Sequence, residues 1–243
     1  MKDVSLKDLL EAGCHFGHQA TRWYPKASDY IYAEKDNVHI IDLVKTKVGL
    51  EEAGRYLSDL AKSGGSVIFT GVKRQAKGVL EEVAKKVKEA KAQNFYYVLE
   101  RWPGGLLTNF AIMQKNLKRI EELEIKSRDE SYTKKERLLA QREREKLLKI
   151  YEGLVGLSKL PDAIFVIDVK KLAGAIREAT RTGVKIVAIC DTNIDPTVVD
   201  YQIPANDDAV GSIKIIMDYL GEAWIEGNKE FNNSNKANGA NDQ

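Results

Sequence analysis

Short apolar runs alternate with amphipathic stretches along most of this 243-residue chain, and that alternation constrains its fold more than any single motif. Ser66 to Thr70, Phe95 to Leu99, Ala163 to Ile167, Lys185 to Ile189 and a shorter run near Tyr201-Gln202-Ile203 read as strands. Strands apolar on both faces must be covered on both faces, as in a parallel sheet flanked by helices. The intervening stretches supply those helices: Val44 to Lys62, Lys73 to Ala92, Lys171 to Thr182 and Asp207 to Glu226. Right-handed crossovers then make the expected fold an α/β, doubly wound parallel sheet sandwich. Ahead of it, Ser5 caps a short helix, and Tyr30 to Ala33 and Val38 to Ile41 read as two strands around a polar turn.

One interval breaks the alternation. Residues 106–158 contain no strand signal, and 21 of these 53 residues are charged. Phe110, Met113, Leu117 and Ile120 step at seam spacing, as do Leu147, Tyr151, Leu154 and Leu157 on the return, with Ser127 to Ser131 as a polar tip. The pattern predicts an inserted α-helical coiled-coil hairpin that projects from the sandwich. A pair of surface helices lying on the sheet is the alternative, disfavoured because the middle of the segment has little apolar surface. The domain plan is therefore a discontinuous sandwich, 1–105 with 159–226, carrying the hairpin at 106–158. Residues 227–243, rich in Asn, Lys, Gly and Ser, read as a disordered tail.

Charge is distributed unevenly. The net charge is only +2, but residues 1–105 and 106–158 each carry +3 and residues 159–243 carry −4. The basic part can face phosphates while the acidic part faces solvent or a basic partner. The chain has no apolar run of about 18 residues, which excludes a helical membrane span. Met1 to Leu10 lack the apolar core of a secretory signal, so the expected site of action is the cytoplasm. Cys14 and Cys190 are too sparse for a disulfide framework and are expected reduced and buried.

Catalytic and cofactor motifs fare poorly. No Gly-x-Gly-x-x-Gly follows a strand, and no phosphate loop of the Gly-x-x-x-x-Gly-Lys type occurs, so no nucleotide cofactor is expected. Cys14-His15-Phe16-Gly17-His18 has no partner pair at zinc spacing, and hydrogen bonding or burial of the histidines is the favoured reading. Asp168, Asp191, Asp195 and Asp200 fall near strand ends where acids often do chemistry, but they also suit turns and caps, and no nucleophile–base pair accompanies them. An enzyme working at the sheet's C-terminal edge and an adaptor binding only proteins remain the competing classes. Basic residues beside aromatic rings in loops point instead to nucleic acid. Arg22-Trp23 with Lys26, and Arg101-Trp102, pair a cation for phosphate with a ring for stacking, although Trp102 can equally anchor its loop. Lys73 and Arg74 open a helix, where a phosphate can bind.

Taken together, several motifs resemble the S-two family of bacterial small-subunit ribosomal proteins. Gly13-Cys14-His15-Phe16-Gly17-His18 with Arg22-Trp23, Val38 to Leu43 with Lys45-Thr46, and Gly71 with Lys73-Arg74-Gln75-Ala76 come in that family's order. So do Arg101-Trp102 with Gly104-Gly105, Leu160 to Asp168, Asp191-Thr192-Asn193 and Asn206 to Ala209. The likeness runs from about residue 4 to 225; Pro103, Cys14 and Lys170-Lys171 depart from it. It implies a flavodoxin-like sandwich with a protruding coiled-coil hairpin, and a structural, non-enzymatic role in the small ribosomal subunit. It also implies binding to ribosomal RNA at the head–body boundary and contact with neighbouring small-subunit proteins, the large multi-domain mRNA-binding one among them, with no small-molecule substrate and no membrane. The expected RNA-binding residues are Arg22, Trp23, Lys26, Lys45, Lys47, Lys73, Arg74, Arg101, Trp102, Lys115, Lys118 and Arg119, acting by phosphate neutralisation and shape recognition.

Overall fold

A computed structural model describes residues 3–239, with side chains through Asn233. The central sheet has five parallel strands: β4 (Val67–Thr70), β5 (Phe95–Val98), β6 (Ala163–Val166), β7 (Lys185–Cys190) and β8 (Tyr201–Pro204), ordered β5-β4-β6-β7-β8. Side chains alternate across each strand. Val67, Phe69, Phe165, Val187 and Ile189 face one core with α2 (Leu43–Lys62), α3 (Arg74–Glu89) and α7 (Val210–Gly239). Ile68, Ile164, Val166, Ile186 and Ala188 face a second core. That core is closed by α6 (Ala173–Thr182) and by Met113, Leu117 and Ile120 of α4 (Phe110–Arg128). Phe69 and Phe165 are fully buried, and each such ring contributes about 1.5–3 kcal/mol of burial. The expected two-faced parallel sheet is what forms.

The N-terminal part adds α1 (Leu6–Glu11), capped by Ser5 in a reciprocal capping box with Asp8. A small antiparallel sheet follows, β1 (Phe16–Gln19), β2 (Ile31–Lys35) and β3 (Val38–Ile41), in the order β1-β3-β2. The β2–β3 turn places Asp36 and Asn37 at positive φ, where Asn and Asp are best tolerated. β1 carries no apolar run and was not expected as a strand. At the far edge of the main sheet, Gly49 of α2 lets the helix close over β8: a Cβ there would come within 2.3 Å of the Gln202 carbonyl oxygen.

Residues 106–158 contain α4 and α5 (Lys134–Tyr151), the latter started by a Thr133–Glu136 capping box. The two run antiparallel, since Asn116 near the start of α4 meets Tyr151 at the end of α5, and Glu124 meets Arg144. Of the stepped positions Met113, Leu117 and Ile120 are buried and Phe110 is partly buried; Leu123, further along α4, is buried as well. On the return, only Tyr151 and Leu147 belong to α5; Leu154 and Leu157 are buried beyond it, Leu154 in a 3-10 turn.

The disordered tail expected at 227–243 is corrected where the chain is described: α7 continues to Gly239. Tertiary contact overrides the weak helix propensity of Gly and Asn here. Gly227 packs on α2, where a Cβ would stand 2.2 Å from the Ser58 carbonyl oxygen. The buried Asn228 accepts from Gln93 N–H at 2.9 Å and donates to the Gln93 carbonyl at 3.3 Å. Residues 240–243 lie outside the described part. Among the described residues, no helix is long and apolar enough to cross a membrane.

Candidate nucleic-acid interface

The C-terminal ends of parallel strands point their following loops to one edge, and here those loops meet β1. Lys73, just after β4, places its Nζ 2.7 Å from Asp207, 2.9 Å from Asp208 and 3.2 Å from Asp168. His18 of β1 lies 2.9 Å from Asp191 through Nδ1 and 3.6 Å from Asp208 through Nε2. Thr192 closes the joint by accepting from His18 N–H at 2.9 Å. Charges drawn out of water need such pairing. Burial opposes the Lys73 charge, but attraction and hydrogen bonds from Asp207 and its neighbours raise its pKa well above the ordinary lysine value. Asp207 is pushed up to about 7 by burial and by the nearby Asp191 charge, against the pull of Lys73. His18 is raised by its hydrogen bond to Asp191, with burial opposing.

His18, Asp191 and Asp207 bring ligand atoms within 4.8 Å of one another, a spacing able to hold a metal ion. The Lys73 ammonium beside Asp207 already supplies positive charge there. Cys14 and Cys190, with which a sequence-level metal site was weighed, are buried free thiols, and burial pushes both above their ordinary range. Lys73, expected among the phosphate contacts, has its ammonium held by three carboxylates with the side chain largely buried. Asp168 and Asp191 make the turn contacts expected of them, accepting from Lys171 N–H at 2.7 Å and Thr192 N–H at 2.6 Å, and they also belong to this network.

The other expected contact residues divide by their partners. Lys26 pairs with Asp195 at 2.8 Å, Lys47 with Asp3 at 3.1 Å, and Arg119 with Glu143 at 3.2 Å. Lys45 donates to the Asp29 carbonyl. Arg22, Arg74, Arg101, Lys115 and Lys118 are exposed and, among the described residues, make no ion pair or side-chain hydrogen bond. Lys115 and Lys118 stand one turn apart on α4. Trp23 is 41% exposed, and its ring lies nearly perpendicular to that of the buried His39, with centroids 5.5 Å apart. Trp102 anchors: its Nε1–H donates to Glu178 at 3.2 Å and its ring packs on the second core.

The same Glu178 accepts from Gly105 N–H at 2.9 Å and Leu107 N–H at 3.0 Å, which ties the loop before α4 to α6. Sequence reasoning did not single out Glu178.

A family model described as ribosomal protein S2 matches residues 9–227. The small ribosomal subunit protein uS2 of Cytophaga hutchinsonii is 47% identical over 224 residues, 91% of this chain and 86% of the relative. That of Dictyoglomus thermophilum is 44% identical over 230 residues, covering 93% of this chain and 91% of its own length. The Bacteroides thetaiotaomicron protein of the same name is 45% identical over 233 residues, 95% of this chain and 82% of the relative.

Proposed function

The chain belongs to the ribosomal protein S2 family, and from that premise we propose how it serves the small ribosomal subunit. Its function is that of a structural constituent of that subunit in translation, a role that is not enzymatic. Its partners are ribosomal RNA and ribosomal proteins. The contact with RNA is made by cations that no carboxylate claims: Arg22, Arg74, Arg101, Lys115 and Lys118, with Trp23 as a stacking ring. The observation that carries this assignment is their exposure without an intramolecular partner among the described residues. Each displaces counterions from a phosphate, which gives salt-dependent affinity, and the shape of the folded RNA supplies selectivity. Lys26, Lys45, Lys47 and Arg119 make secondary contacts by exchanging an exposed pair for phosphate, since surface ion pairs hold weakly.

In the same reading α4 and α5 project as a coiled-coil hairpin that reaches RNA away from the sandwich. Exposed apolar side chains along the pair, among them Ile125 and Leu139, and its dense charge support it. Contact with neighbouring proteins, including the large multi-domain mRNA-binding one, falls to the remaining surface. Sedimentation of a cell lysate through sucrose, probing for this chain, tests the proposal. Co-migration with small subunits that high salt partly strips is the expected result; a chain that stays with the unassembled proteins at the top refutes it.

A further inference from the structure

We propose that Glu178 is the positioning residue of the RNA-binding face, holding Arg101 and the lysines of α4 in register with the sandwich. The inference rests on the RNA contacts proposed above. The loop 101–109 links the edge strand β5 to α4, so it sets where α4 begins. Its donors converge. Trp102 Nε1–H and the N–H groups of Gly105 and Leu107 reach Glu178 within 3.2 Å, and Thr108 adds its N–H and hydroxyl at 3.4 Å. Converging backbone N–H groups form an anion-binding concavity, and here the anion comes from the chain itself. A charged acceptor makes these bonds stronger than neutral pairs would be.

Both kinds of contact residue are tied to this carboxylate. Arg101 is next to Trp102, so a fixed indole fixes the Arg101 backbone. Thr108 is followed by Asn109, the N-cap of α4, and Lys115 and Lys118 lie on that helix. A helix amplifies an error at its base: Lys118 is eight residues beyond Phe110, about 12 Å along the axis, so a tilt of about 10° moves it by roughly 2 Å. A shift of that size breaks a contact made at hydrogen-bond distance. Glu178 itself faces its own loop and needs no contact with RNA.

The full-length chain is compared with Glu178→Gln for binding to a small-subunit rRNA transcript across a salt series. The Gln variant keeps the side-chain volume but removes the charge and one acceptor oxygen. The expected result is affinity lowered about tenfold and a salt slope shallower by about one unit, the loss of about one phosphate contact. The tryptophan emission shifts as Trp102 is released. In an Arg101→Ala background the further effect of Glu178→Gln shrinks, because the two residues act through one loop. Wild-type affinity and slope in Glu178→Gln, with the emission shifted, overturn the proposal; so does an unshifted emission, which shows that the loop does not depend on the carboxylate. If Glu178→Gln does not fold, Trp102→Phe, which removes a single donor, is read in its place by rRNA affinity and salt slope alone, and wild-type values of both overturn the proposal. A wild-type chain that binds no rRNA defeats the RNA reading itself and this inference with it, an outcome distinct from a defect confined to the variant.

Discussion

Lys73 and Arg74 are neighbours in sequence, yet the fold gives them opposite surroundings, and the same contrast separates the sheet edge from the α4–α5 pair. Lys73 has a side chain 13% exposed and meets three carboxylates. Arg74 is exposed with no partner among the described residues, like Lys115 and Lys118 on α4. A cation buried among several internal acids is far less available to an external phosphate than one that is exposed or held in a surface pair. Sequence composition counts both kinds alike, and only the strand order tells them apart.

Removing the buried cation tests the contrast most severely. Lys73→Met leaves Asp207 and its neighbours uncompensated, and urea unfolding at about pH 8 is expected to show a loss of about 3 kcal/mol. The loss shrinks toward pH 5.5 or so, where Asp207 takes up a proton. An unchanged unfolding midpoint would mean that Lys73 is as dispensable as a surface lysine. Next in size is Lys115→Glu with Lys118→Glu. Here the melting temperature stays within about two degrees, while the dependence of rRNA affinity on salt loses roughly two contacts' worth of slope. Equal loss of stability and binding would erase the distinction between the two regions.

Arg74→Ala sharpens the comparison one residue from Lys73. Filter binding should show a slope reduced by about one contact, with stability unchanged. The smallest effect is on pH. Asp207 rises to about 7 from 3.8 in the fold, and His18 rises above its ordinary 6.5. Groups that hold protons more tightly when folded stabilise fully below their unfolded values and lose that contribution as pH rises through the folded ones. The melting temperature should therefore fall between about pH 5.5 and about pH 8, and His18→Gln should flatten that fall. A melting temperature that rises over this interval contradicts the assignment.

The sheet was legible because its strands are apolar on both faces, and the helices because their period is helical. β1 was not: Phe16-Gly17-His18-Gln19 has no strand composition, and its place is set by Thr192 and His39 far away in sequence. The helical stretch beyond residue 227 was missed for a related reason, since Asn228 is ordered by Gln93, 135 residues distant. At the candidate interface, the cation–aromatic loops were visible in the sequence, and Trp23 is exposed on the fold. What sequence reading lacked was the strand order. Once β4 and β6 are known to be neighbours, the positions after them come together at one edge, where Lys73 meets Asp168, and a lysine among acids can be recognised as internal. Glu178 carried no signal at all, because its partners are mostly backbone N–H groups, which every sequence possesses.

The strand order also governs when this chain can fold as it is made. β4 pairs with β6 across the whole inserted pair of helices, Val67 with Ala163, and α7 closes the core over α2 and α3. A nascent chain that has reached β5 owns only two strands of the main sheet, β4 and β5, with α2 and α3, whose apolar faces lack most of their eventual partners. Long loops are slow to close, and exposed apolar faces invite association with other chains in the meantime. The early half must therefore wait, shielded or at risk, for the late half: translation has to pass Val210 before the first core can be sealed.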